Sequence, residues 1–173
     1  WTRVLEKSNY TSTYPEVTST SAYGTGKGLQ FYARGKSVLM MATPIFDEDL
    51  SRMQVSFWLK NSENTNPAKF EVGVLSDLAD TSTFVAIERI ERDNRLWEYY
   101  DIPLTTAPST HKYIALRMTN DNNKSADYYV DEIKVDSIPS CRRVKNAKAF
   151  FIGKDTVKIT FDSSAAAWQY AMT

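Results

Sequence analysis

The sequence predicts an all-β fold, two antiparallel sheets packed face to face as a jelly-roll β-sandwich. Three observations carry this. Stretches such as MQVSFWLK (53–60) and FEVGVL (70–75) alternate apolar with other residues, so successive side chains fall on opposite faces of a strand. Such runs recur roughly every 10–15 residues, with polar turn residues between them. No window keeps apolar residues at three- and four-residue spacing over a helix length; the best scrap, DEDLSRM (47–53), is too short.

Taken in order, TRVLE (2–6) is the first strand, and 8–27, rich in Ser, Thr, Tyr and Gly, reads as loop. LQFYA (29–33) and SVLMMATPI (37–45) are separated by a tight turn at Gly35. Charged DEDLSR (47–52) is a turn. MQVSFWLKN (53–61), KFEVGVLS (69–76), FVAIERI (84–90), LWEYYDIPL (96–104), KYIALRM (112–118) and DYYVDEIKV (127–135) follow, about nine strands in all. Alternation assigns Met53, Val55, Phe57, Leu59, Phe70, Val72, Val74, Ile114, Leu116 and Met118 to the core. Each large apolar side chain buried there contributes about 1.5–3 kcal/mol. Gln54, Ser56, Trp58, Lys60, Glu71, Gly73, Tyr113, Ala115 and Arg117 then point away.

Pro139 ends this region, and RRVKN reads as a linker. AKAFFIG (147–153), TVKITFDSS (156–164) and WQYAMT (168–173) read as three further strands, too few to close a sandwich by themselves. The expected division is 1–138 and 139–173.

Composition narrows the function classes. The chain is 42% hydrophobic and 24% charged, as a folded soluble domain should be. Its 21 basic and 21 acidic residues cancel, leaving no basic footprint for nucleic acid. The longest apolar runs, such as VLMMA (38–42), fall far short of the roughly 20 residues of a membrane span. The chain opens on Trp1 rather than methionine, which suggests processing. Cys141, the single cysteine, cannot form an internal disulfide, and points to a free thiol or a partner outside the chain. The single histidine, His111, sits in a turn-like THK stretch and gives Cys141 little help as a nucleophile.

The ordered series GKGLQFYARG, QVSFWLKNS, FEVGVLSDLADTSTF, LWEYYDIPL, YIALRM and YYVDEIKVDSIPSC resembles the jelly-roll modules of secreted and cell-surface proteins of Bacteroidota, related to MAM-type and cleaved-adhesin domains with a concanavalin-like sandwich. The likeness covers about residues 1–138. It implies a noncatalytic binding module, secreted or at the cell surface, within a larger chain, holding a glycan or a host-surface ligand. A fibronectin type III domain often follows in that family. Residues 142–173 resemble its first three strands, with Val157, Ile159 and Phe161 as core positions and Trp168 and Tyr170 on the third strand. The strand bearing a tyrosine corner is absent from the sequence, so this segment is expected to hide its open edge on the first domain or on another copy.

Within this frame the candidate ligand contacts are Trp58, Glu71, Tyr113 and Arg117. They form one face if 53–60 and 69–76 lie side by side, with Trp58 near Gly73: an outward aromatic ring beside hydrogen-bonding side chains suits a sugar ring and its hydroxyls. The alternative is that segment 8–27 covers Trp58, which then only packs. Asp131 shares strand parity with Tyr129, Ile133 and Val135, so it is expected to be buried, and a buried carboxylate must be hydrogen-bonded, paired or metal-bound. Such modules often carry structural calcium, which makes Asp131 a candidate ligand, with capping of a loop's N–H groups as the alternative. No zinc spacing, nucleophile elbow or phosphate loop occurs. Acidic pairs such as Glu88/Glu91 and Asp47/Asp49 read as ordinary surface charge; a glycan-active enzyme, which needs two carboxyls across a cleft that a jelly roll can carry, is the third reading. The second is an architectural spacer or protein-contact module without a small ligand.

Overall fold

The structure is a computed structural model that describes residues 1–8, 10, 13–19, 23–24, 26–62, 68–91, 95–140, 145–152 and 157–162. It divides into two compact units, Trp1–Ser137 and Ile138–Thr173.

Among the described residues the first unit holds ten strands: β1 (Thr2–Ser8), β2 (Tyr14–Thr18), β3 (Gly28–Arg34), β4 (Ser37–Ala42), β5 (Met53–Asn61), β6 (Lys69–Leu75), β7 (Val85–Ile90), β8 (Glu98–Pro103), β9 (Tyr113–Asn120) and β10 (Ser125–Ser137). They form two antiparallel five-stranded sheets, ordered β1-β4-β9-β6-β7 and β2-β3-β10-β5-β8. The chain changes sheet at every connection except β2–β3 and β6–β7, the course of a jelly roll. We call the two layers the β6 sheet and the β5 sheet.

The expected inward positions are inward. Val55, Phe57 and Leu59 of β5 meet Phe70, Val72 and Val74 of β6 and Ile114, Leu116 and Met118 of β9 in one buried cluster. Met53, at the mouth of β5, is only half-buried. Aromatic rings bridge the layers: Phe31 meets Phe70 edge-on at 5.5 Å, and Phe70 meets Tyr128 at 5.0 Å. The buried Tyr128 hydroxyl donates to the Ala68 carbonyl at 2.8 Å, so its polar end is satisfied.

Two features depart from the sequence reading. Tyr14–Thr18 is a strand rather than loop, paired with β3 at the sheet edge. Proline weakens a strand signal, yet Pro15 fits where only one neighbour is hydrogen-bonded. Secondly, β10 does not alternate throughout. Its pairing with β5 shifts between Asp131 and Lys134, and Glu132 sits at φ 50°, the left-handed region. This bulge reverses sidedness. Before it Ala126, Tyr128 and Val130 point inward; after it Ile133 and Val135 pack against the core. Tyr129 and Asp131 therefore face out, contrary to expectation, and Asp131 is half-buried rather than buried.

In the second unit, β11 (Lys145–Phe151) and β12 (Val157–Asp162) form an antiparallel pair. Ala149 opposes Ile159 and Phe151 opposes Val157, so these four share one face; Phe151, Val157 and Ile159 are exposed. Cys141 and the whole of the third expected strand, Trp168 and Tyr170 included, lie outside the described residues, as does the Phe161 side chain.

Candidate functional site

The four expected ligand contacts do not form one face. Because β5 and β6 belong to different sheets, Trp58 points out from one side of the sandwich while Glu71, Tyr113 and Arg117 point out from the other. Gly73 is on that other side as well, with Ala115 across the ladder.

The outer face of the β6 sheet is occupied by its own packing. Met40, Ala42, Leu75 and Ala115 form a second buried cluster, joined by Val4, Leu78, Phe84 and Tyr113. Phe84 lies over Gly73, where an added Cβ would stand 2.5 Å from its ring. Arg117 stacks its guanidinium 4.1 Å above the Phe84 ring and donates to Glu71 at 2.7 Å. The incoming 77–84 segment is capped by Asp80, whose carboxylate accepts from the Ser82 N–H and hydroxyl; His111 Nε2 lies 3.0 Å from the Thr83 carbonyl oxygen. Glu71 and Arg117 satisfy one another and hold a ring in place.

Trp58 is covered. Tyr23, from segment 8–27, stacks on it at 4.1 Å and 13°, and Tyr99 of β8 meets its edge at 5.5 Å. The Tyr23 N–H donates to Asp131 Oδ2 at 2.7 Å, and the Glu132 N–H donates to Oδ1 at 2.7 Å. Asp131 thus anchors the covering residue, the loop-capping alternative. Among the described residues no group of three His, Cys, Asp or Glu side chains could hold a metal ion.

The remainder of the outer β5 face is a different surface. Register lays its outward side chains in rows across the strands. One row runs Tyr14, Tyr32, Asp127 and Ser62; the next runs Glu16, Gln30, Tyr129 and Lys60. All eight side chains are half-buried. Tyr14 and Tyr32 tilt against one another at 5.6 Å. Gln30 donates to Asp127 Oδ1 at 3.0 Å and lies 3.3 Å from the Tyr129 hydroxyl; Ser62 donates to Asp127 Oδ2 at 3.1 Å. Lys60 sits between the rings of Trp97 and Tyr129, at 5.8 and 5.9 Å. Burial, then the neighbouring Glu16, Tyr32 and Asp127, push the Tyr14 phenol above its ordinary value. Aromatic faces and fixed polar groups thus interleave on one sheet.

Sequence reasoning missed this patch. Gln30 and Tyr32 were readable as outward from their alternation with Leu29, Phe31 and Ala33. Tyr14 was hidden in the segment read as loop, and Asp127 and Tyr129 by the parity reversal at the bulge.

No protein-family model matches the chain, and no curated protein matches it. Its fold is similar to solved structures. The K1 cleaved adhesin domain of Lys-gingipain from Porphyromonas gingivalis W83 superposes with TM-score 0.61 at 16% identity, covering 78% of this chain and 91% of that one. A family 30 carbohydrate-binding module of a cellulosomal cellulase of Clostridium thermocellum gives 0.52 at 10% identity, covering 78% and 96%. A family 11 carbohydrate-binding module from Clostridium thermocellum, in complex with a β-1,3-1,4-mixed-linked tetrasaccharide, gives 0.50 at 17% identity, covering 76% and 87%. These likenesses establish the class of fold: a two-sheet antiparallel β-sandwich.

Proposed function

We propose that the chain is a noncatalytic binding module of a secreted or surface protein, and that the outer β5 face holds a carbohydrate. The observation that carries this is the pair of register rows in which Tyr14, Tyr32 and Tyr129 alternate with Gln30, Asp127, Glu16 and Lys60. Rings offer flat apolar area to the C–H face of a sugar, and side chains already held by neighbours hydrogen-bond its hydroxyls with little ordering cost. Fold neighbours that are carbohydrate-binding modules support the reading. The test is a glycan array on the whole chain, followed by titration of any hit. Tyr32→Ala and Tyr129→Ala are each expected to weaken binding at least about tenfold, a loss of about 1.4 kcal/mol. Unchanged affinity in both moves the ligand off this face.

The second reading is adhesion to a host-surface protein, favoured by the likeness to a cleaved adhesin domain. A silent array together with binding to a protein ligand selects it, and silence to both leaves the architectural spacer. Catalysis stands third. Asp49, from one of the acidic pairs, is held below the usual carboxylate range by the Ser51 hydroxyl and N–H, which suits a turn cap rather than a proton donor.

The second unit we read as the opening strands of a fibronectin type III-like domain, and the exposed Phe151, Val157 and Ile159 as a face for self-association or for a neighbouring domain. Sedimentation across a concentration series tests the self-association arm: a single monomeric species throughout removes it. Bacteroidota remains the source that the sequence resemblance implies.

A further inference from the structure

We propose that the outer β5 face takes an uncharged, hydroxyl-rich glycan chain and rejects polyanionic ones. This rests on the glycan-binding reading above. Along the rows through Tyr14, Glu16 and Thr18, the described residues carry three carboxylates, Glu16, Asp127 and Asp131, against one ammonium, Lys60. That ammonium is turned to the rings of Trp97 and Tyr129. Asp127 stands in the first row with one oxygen held by Gln30 and the other by Ser62, which fixes a negative charge on this face. A sugar hydroxyl can donate to such a group. A uronate carboxylate or a sulfate ester group offers acceptors only, and brings like charge against the carboxylates on a partly desolvated surface. On the opposite face the cations are each paired with a carboxylate, Lys69 with Asp121, Arg89 with Glu91 and Arg117 with Glu71.

The experiment compares soluble neutral polysaccharides (mixed-linkage β-glucan, arabinoxylan, galactomannan) with polyanions (polygalacturonate, heparin, dextran sulfate). Binding to this face is scored as the part lost in Tyr32→Ala, so that polyanions held elsewhere do not count. The expected result is at least one neutral binder, with every polyanion at least tenfold weaker near 50 mM salt and the gap narrowing near 0.5 M as charges are screened. Glu16→Lys, with its melting temperature as the folding control, should raise polyanion binding about threefold or more. A polyanion bound to this face as tightly as the best neutral chain, or no response to Glu16→Lys, overturns the inference and leaves the glycan reading standing. No face-specific binding to any polysaccharide overturns the glycan reading, and this inference with it.

Discussion

The two outer faces of this sandwich are built from the same alternation and have opposite fates. On the β6 sheet the outward positions are small or apolar in the middle, Met40, Ala42, Gly73, Leu75 and Ala115, and the 77–84 segment folds back to lay Phe84 on them. On the β5 sheet the outward positions are mostly tyrosines and polar or charged side chains, and among the described residues of segment 8–27 Tyr23 lies on Trp58 and Trp97. Outward therefore does not mean available. A side chain that points away from the core becomes a binding candidate only where no loop arrives to bury it, and small residues in the strand are an invitation for a loop to arrive.

Substitutions can break this contrast in descending order of effect. Gly73→Ala strikes the covered face hardest, because the new Cβ would overlap the Val85 carbonyl oxygen and press on the Phe84 ring next to a pairing irregularity. A loss of about 2–3 kcal/mol is expected, a fall of roughly 5–10 °C in melting temperature. Scanning calorimetry checks it, and an unchanged transition would mean that Phe84 does not lie over this glycine. Arg117→Ala comes next. It removes the stacking on Phe84 and leaves Glu71, whose side chain is 14% exposed, without its 2.7 Å partner. A cost of about 1–2 kcal/mol is expected, with glycan affinity unmoved. Altered affinity with intact stability would transfer the site to the β6 sheet.

The smallest effect concerns Asp80. The Ser82 hydroxyl and N–H hold its carboxyl below the ordinary value, so the folded state binds this proton less readily than the unfolded chain. The cap's contribution is then complete above the unfolded value, near 3.8, and is lost as pH falls through the lower folded value. Asp80→Ala should lower the melting temperature slightly at pH 6 and narrow its drop between pH 6 and pH 3. Parallel curves for the two proteins would show that the cap contributes nothing to holding the 77–84 segment.

The strands themselves were largely legible, and the reason is local. Val55, Phe57, Leu59, Ile114, Leu116 and Met118 announce their sidedness within a few residues, since a strand turns its side chains over at every step. Tyr14–Thr18 was not legible, because an edge strand with proline needs a partner to exist at all. The candidate site was legible only in kind. Aromatics flanked by hydrogen-bonding groups do occur together on the outer β5 face, yet Trp58, the most conspicuous ring, is stacked under Tyr23. Asp131 was misassigned for a comparable reason: the bulge at Glu132 shows only in pairing with β5, which lies about 70 residues earlier in the chain.

By itself, then, the sequence determined which side chains leave the water, and so an all-β sandwich with its core. It also left no apolar run long enough for a helical membrane span. The tertiary structure alone decided which strands share a sheet, and hence that Glu71 and Arg117 stand back to back with Trp58 while Tyr14, Tyr32, Tyr129 and Asp127 stand together. The physical reason is range. Sidedness is set by neighbours along the backbone, whereas membership of a face is set by hydrogen-bonded ladders between segments distant in the chain, and only there do separate residues become a surface.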